Sequence, residues 1–173
     1  MRFLTPDCSV SWGGSETLKE IGLIDDLAES EDYIIYDRTT ARTPEEKREM
    51  YGKIVMSDYY FMSTNAITLD GELINIDGNG NRVACLCNGP EHVIIITGMN
   101  KVVDSVESGI ARVRNIAAPP NAIRLGLNTP CAELGRCGNC LSEDCICDQI
   151  VITRKSRTQG RIKVLLVGEE LGY

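Results

Sequence analysis

Cysteines crowd one stretch of this chain. Five of the eight, Cys131, Cys137, Cys140, Cys145 and Cys147, fall between residues 131 and 147, in a segment of loop composition without apolar periodicity. Its most regular feature is the pair Cys137-Gly138-Asn139-Cys140. Two thiolates at that spacing can chelate one ion, because a tight turn points both sulfurs inward and Gly138 and Asn139 suit such a turn. Cys131 precedes the pair and Cys147 follows it at comparable distances, so a four-thiolate metal site over the loop 129–148 is sterically easy. The plainer alternative is a flexible loop of free or disulfide-bonded cysteines.

A second set of residues suits a small anion. Ser9–Trp12 reads as a strand, and Gly13-Gly14-Ser15 follows it directly, exposing backbone NH groups at the start of a helix. The spacing is neither that of a Walker loop nor that of a dinucleotide fingerprint, so no nucleotide cofactor is indicated, and a tight turn that needs glycine explains the motif equally well. Ser63-Thr64-Asn65 ends another strand, at the edge where open α/β sheets hold ligands. Asp70, Glu72 and Asp77 are candidate general acids or bases, and Gly78, Asn79 and Arg82 follow them, with Arg82 suited to hold an anionic substrate. Asp70-Gly71 also needs no function, since it is a hairpin turn sequence. His92, the only histidine, has no partner motif and reads as a surface residue.

These residues need a scaffold, and the pattern supplies one. Short β-rich runs alternate with helical stretches, which predicts α/β layers in a single domain over residues 1–173. Leu18, Ile21, Ile24 and Leu27 mark one helical face; Tyr33–Tyr36 and Tyr59–Ser63 are strands; Thr43-Pro44-Glu45-Glu46 caps a helix running to about Met56. Ala66–Leu69 and Leu73–Ile76 form a hairpin about Asp70-Gly71, and Arg82–Cys87 is a short helix stopped by Asn88-Gly89-Pro90. Val93–Thr97 is wholly apolar through Ile96, as in a strand buried within a mainly parallel sheet. Asp104–Ala117 is a helix that Pro119-Pro120 should end, and 149–153 and 161–167 are closing strands. The strands Ser9–Trp12, Tyr59–Ser63 and Val93–Thr97 should be neighbours.

Bulk composition narrows the function class. A hydrophobic content of 43% and a charged content of 25% are ordinary for a globular domain. A net charge of −7 argues against a nucleic-acid surface, which needs clustered Lys and Arg. No apolar run approaches the length of a membrane span and no signal peptide opens the chain, so a cytoplasmic location is expected, where clustered thiols more often mean metal than disulfide.

Taken together, Trp12–Asp25, Thr43–Arg48, Ser63–Thr68, Asp70–Leu73, Asn75–Asn79, Asn81–Ala84 and Arg114–Pro119 resemble the lactate-utilisation (LUD) domain family, and more narrowly its short stand-alone members with a cysteine loop. The match runs in order along nearly the whole chain, although the segment that relatives carry ahead of the glycine loop is missing or shortened. The resemblance implies the fold of the glucosamine-6-phosphate deaminase, ribose-5-phosphate isomerase and CoA-transferase superfamily. It also implies that Cys131, Cys137, Cys140 and Cys147 are the loop positions shared with relatives, with Cys145 a bystander. The short N-terminus leaves room for an exposed apolar patch or a homodimer contact.

Three functions compete on this reading. One is a component of lactate or related 2-hydroxy and 2-oxo acid metabolism, with a small anionic metabolite in the glycine-rich pocket, a metal or iron–sulfur cluster in the cysteine loop, and iron–sulfur or flavin redox partner proteins. The second is a non-catalytic binding or assembly module with structural zinc in the same thiolates. The third is an isomerase, deaminase or CoA-transferase-like enzyme acting on a phosphorylated or thioester substrate.

Overall fold

The computed structural model describes residues 4–173. In chain order β1 (Ser9–Trp12) leads into α1 (Glu16–Glu20) and α2 (Leu23–Ala28), and β2 (Ile34–Tyr36) into α3 (Pro44–Val55). There follow β3 (Tyr59–Met62), β4 (Ala66–Thr68), β5 (Leu73–Asp77), α4 (Asn81–Cys87), β6 (His92–Gly98) and β7 (Val102–Val103). The remainder comprises α5 (Val106–Arg112), α6 (Ala118–Arg124), α7 (Pro130–Leu134), β8 (Gln149–Thr153) and β9 (Ile162–Val167).

The fold is a single α/β domain, as its strand–helix alternation predicts. Five strands in the order β2-β1-β3-β6-β9 form a wholly parallel sheet, with β1, β3 and β6 as adjacent central members. Alternation along those strands divides two cores. Val10, Trp12, Tyr59, Phe61, Ile94 and Ile96 face α1 and α2, whereas Tyr60, Met62, Val93 and Ile95 face α3, α4 and the β4–β5 hairpin. This period-two division is what a parallel sheet covered on both faces requires. A second sheet, which sequence reasoning did not separate from the first, has the mixed order β7-β4-β5-β8 and packs against α5 and the helical turn after it, with Ala66 and Ile74 beside Val113 and Ala117.

Three local expectations need correction. The face Leu18–Leu27 is two helices and not one, because Gly22 takes φ 70°, a conformation that breaks the helix and leaves Ile21 39% exposed. Pro119-Pro120 does not end the preceding helix. A π turn over Val113–Ala117 follows α5, and the prolines fall in the first turn of α6, where their missing NH groups have no intrahelical acceptor to lose. The cysteine stretch is not loop throughout, since Cys131 lies in α7. The capping box Thr43–Glu46 and the hairpin turn at Gly71, with φ 84°, are present as read.

Candidate functional site

A polar cavity of about 350 Å³ opens at the carboxyl ends of the parallel strands. Each strand end delivers one wall. Beyond β1, the Gly13 NH continues the ladder to the Phe61 carbonyl at 2.9 Å, and Ser15 caps α1 by accepting from the Leu18 NH. A Cβ on Gly14 would lie 2.6 Å from an Arg38 guanidinium nitrogen, so this glycine lets Arg38, carried beyond β2, lie against the main chain. Beyond β3 come Ser63, Thr64 and Asn65, and beyond β6 the 3₁₀ turn Met99–Lys101, while the second sheet brings Asp77 at the end of β5 with Gly78 and Asn79 after it.

The structure therefore brings Gly14, Ser15, Ser63, Thr64, Asn65, Asp77, Gly78, Asn79 and Arg82 round one cavity. Gly13 stands behind it, where a Cβ would meet the Tyr60 hydroxyl at 3.0 Å and Arg82 at 3.2 Å. Asp70 and Glu72 lie elsewhere, at the hairpin end, lining a separate hollow with the β8–β9 connection, where Glu72 pairs with Arg154 at 3.5 Å.

Arg82 is differently employed than its sequence context suggests. Its side chain is 13% exposed and its nitrogens reach Asn75 Oδ1 at 2.6 Å, Asn65 Oδ1 and the Ile76 carbonyl at 2.9 Å, the Ser63 carbonyl at 3.4 Å and Asp77 at 3.7 Å. A guanidinium with that many protein acceptors ties β5 to the loop after β3 and has little left for a ligand. Thr64 and Asn65 are ties of the same kind: Thr64 Oγ1 lies within bonding distance of the Ala66 and Ile74 carbonyls, and the Asn65 carbonyl accepts from Arg112 at 2.8 Å. Asp77 accepts from the Val83 NH at the start of α4.

The group that sequence reasoning missed is Lys101. Only 4% exposed, it donates to Thr17 Oγ1 at 2.8 Å and to Ser63 Oγ at 3.2 Å. Desolvation, reinforced by the positive charge of Arg112 and only partly offset by Glu20, pulls its pKa down to about 8. Four cations line the cavity, and two are paired: Arg82 with Asp77, and Arg124 with Glu16 at 3.5 Å. Lys101 and Arg38 have no carboxylate within ion-pair distance among the described residues. Both follow the carboxyl end of a parallel strand, so the rule that singled out Ser63 would have found them had it been applied to β2 and β6.

The cavity roof comes from the C-terminal segment and the cysteine loop. The Leu171 carbonyl accepts from Thr17, the Gly172 NH donates to Glu20 at 2.6 Å, and the Tyr173 hydroxyl meets Asn121 and Arg124. Cys145, Ile146 and Asp148 form the opposite wall. They approach so closely at Gly78 that a Cβ there would lie 3.3 Å from the Ile146 Cα.

Within the cysteine loop, burial first and then the neighbouring Cys145, Cys137 and Cys131 push the Cys147 thiol up to about 12. The Cys145 Sγ reaches the Cys140 carbonyl at 3.8 Å and accepts from the Cys147 NH at 3.4 Å, so Cys145 sits between two of the four expected ligand positions. Among the described residues no three His, Cys, Asp or Glu side chains stand in positions that could hold a metal ion. Cys85 and Cys8 are buried and lie outside this loop, and Cys87 is exposed on α4.

Comparison with known proteins then settles the family. The model of the LUD domain matches residues 1–167. The chain belongs to the LUD domain family. No curated protein matches the sequence. Among solved structures, this LUD domain is similar to a DUF162 family protein from Deinococcus radiodurans, with 12% identity and a TM-score of 0.42 over 94% of this chain and 88% of the other. A D-ribose-5-phosphate isomerase in complex with phospho-erythronic acid is similar with 16% identity and a TM-score of 0.39, over 61% of this chain and 50% of the other. The eIF2B delta protein from Chaetomium thermophilum follows with 13% identity and a TM-score of 0.39, over 63% and 47%. No described helix of the LUD domain is long and apolar enough to cross a membrane.

Proposed function

We propose that this LUD domain binds a small organic anion of the 2-hydroxy or 2-oxo acid type in the polar cavity and serves in the metabolism of lactate or a related acid. The observation that carries the reading is the Lys101 ammonium, buried at the cavity wall on hydroxyl partners alone. A buried charge without a counter-ion is costly, and an anionic ligand is the partner that would offset it. Arg38 across Gly14 supplies a second positive group, and Ser63 and Ser15 supply hydroxyls to orient the acid. Oxidation of a hydroxy acid removes two electrons, which an iron–sulfur or flavin partner protein would accept.

The cysteine loop has its place in the same reading, with Cys131, Cys137, Cys140 and Cys147 as thiolate ligands of zinc or an iron–sulfur cluster. What supports it is the donor chemistry alone, soft thiols carried on one loop; the described side chains do not converge on one point, so a bound ion would have to draw them together. Metal analysis of anaerobically purified protein tests it. A brown protein indicates a cluster and a colourless one with bound zinc a structural site, and protein purified without metal in any preparation refutes both.

Calorimetric titration with lactate, pyruvate and phosphate tests the pocket. Saturable binding of at least one is expected, weakening as pH rises through about 8, where Lys101 loses its proton. Lys101→Met should abolish it. Unchanged binding in that variant, or no binding of any of the three, overturns the proposal.

A further inference from the structure

The polar cavity has an apolar neighbour. A second hollow of about 380 Å³ has Met50, Tyr51, Ile54 and Tyr60 among its apolar lining. Arg38, Asn79 and Asn81 line both spaces, so the two adjoin along the Arg38 side chain. Tyr60 comes from a central strand of the parallel sheet, while Met50, Tyr51 and Ile54 come from one side of α3, so the apolar walls rest on regular elements. The Tyr51 hydroxyl is fixed on the Asn81 carbonyl at 3.4 Å, which holds its ring at the junction. Desolvation keeps the Tyr60 phenol protonated, so its ring is a neutral surface.

From this juxtaposition we infer that the ligand is bipartite: an acid whose carboxylate lies in the polar cavity and whose aromatic or branched aliphatic side chain fills the hollow beneath α3. The inference rests on the reading of the polar cavity as an anion pocket and narrows its substrate class from lactate itself to larger 2-hydroxy and 2-oxo acids. Size and charge both favour that class. A methyl group, which is all that lactate offers, leaves the apolar hollow empty, whereas a phenyl or isobutyl group is of the scale that such hollows enclose. The two unpaired cations, Lys101 and Arg38, match one carboxylate or one phosphate and fall short of a polyphosphate chain. Arg38, lying between the spaces, has its charge toward the acid group and its stem along the apolar side chain.

The experiment compares lactate with 3-phenyllactate, and pyruvate with 4-methyl-2-oxopentanoate, by calorimetry on the full chain, with adenosine monophosphate as a further probe. The larger acid of each pair should bind more tightly by roughly tenfold or more, as burial of a phenyl or isobutyl group would give. Met50→Trp, which narrows the hollow, should erase that advantage while leaving the affinity for lactate and pyruvate unchanged. Met50→Ala should reduce it, and serves if the tryptophan variant does not fold. Equal binding of large and small acids overturns this inference and leaves the anion pocket standing. Tightest binding by adenosine monophosphate overturns the substrate class assigned here, and no binding by any acid overturns both readings.

Discussion

Lys101 is a single side chain with two opposite effects. Its pKa falls from 10.5 to about 8 on folding, so the unfolded chain holds more protons than the folded one between those values. The penalty for burying the ammonium is therefore complete below about pH 8, shrinks as pH climbs, and is gone above 10.5. Lys101→Met should accordingly gain up to ~3 kcal/mol over the natural protein in chemical denaturation at pH 7, and that gain should vanish by pH 11. A gain that persists at high pH would mean that packing and not charge is responsible. With saturating anion the order should reverse, since only the natural protein then has its charge matched. Part of this was legible in the sequence. The glycine junction and Ser63 were found because turn chemistry and strand ends leave local marks, whereas the solitude of Lys101 depends on which carboxylates lie near it in space. Arg82 illustrates the converse. Its position beside a glycine-rich loop suggests a ligand, and only the arrangement of Asn65, Asn75 and Ile76 around it reveals a tie between strands.

At the scale of elements, the parallel sheet was readable because β3 and β6 are continuous apolar runs bounded by turn residues. The break at Gly22 and the π turn before Pro119 were not, since helical spacing carries across both and the tertiary fold decides where the axis shifts. The C-terminal segment was equally hidden, because its bonds to Thr17 and Glu20 span most of the chain and that to Asn100 a further long stretch of it. Gly98 marks its seat. A Cβ there would lie 2.6 Å from the Glu169 carbonyl oxygen and from the Leu171 nitrogen, both main-chain atoms that cannot swing aside. Gly98→Ala should therefore cost about 1–3 kcal/mol by overpacking and should free residues 169–173 from the end of β6. Hydrogen exchange of the Leu171 and Gly172 amides reads this directly, and unaltered protection in a folded variant would count against the segment's role as the cavity roof.

For the molecule as a whole, the close approach at Gly78 means that the polar cavity and the cysteine loop share a wall. Whatever orders residues 145–148 acts on both. If a bound acid orders that wall, and a metal taken up by the loop orders it too, each must favour the other by the same factor. Reciprocity of this kind is measurable from either side. A saturating acid should slow alkylation of Cys145, which lines the cavity, by iodoacetamide several-fold, leave Cys87 on α4 unaffected, and lose this protection in Lys101→Met. Equal alkylation rates with and without acid would separate the two features. The missing side chain at residue 78 would then serve packing alone. If the rates differ, the thiol reports on occupancy of the cavity, and one shared wall ties the exposure of a cysteine to the concentration of an acid.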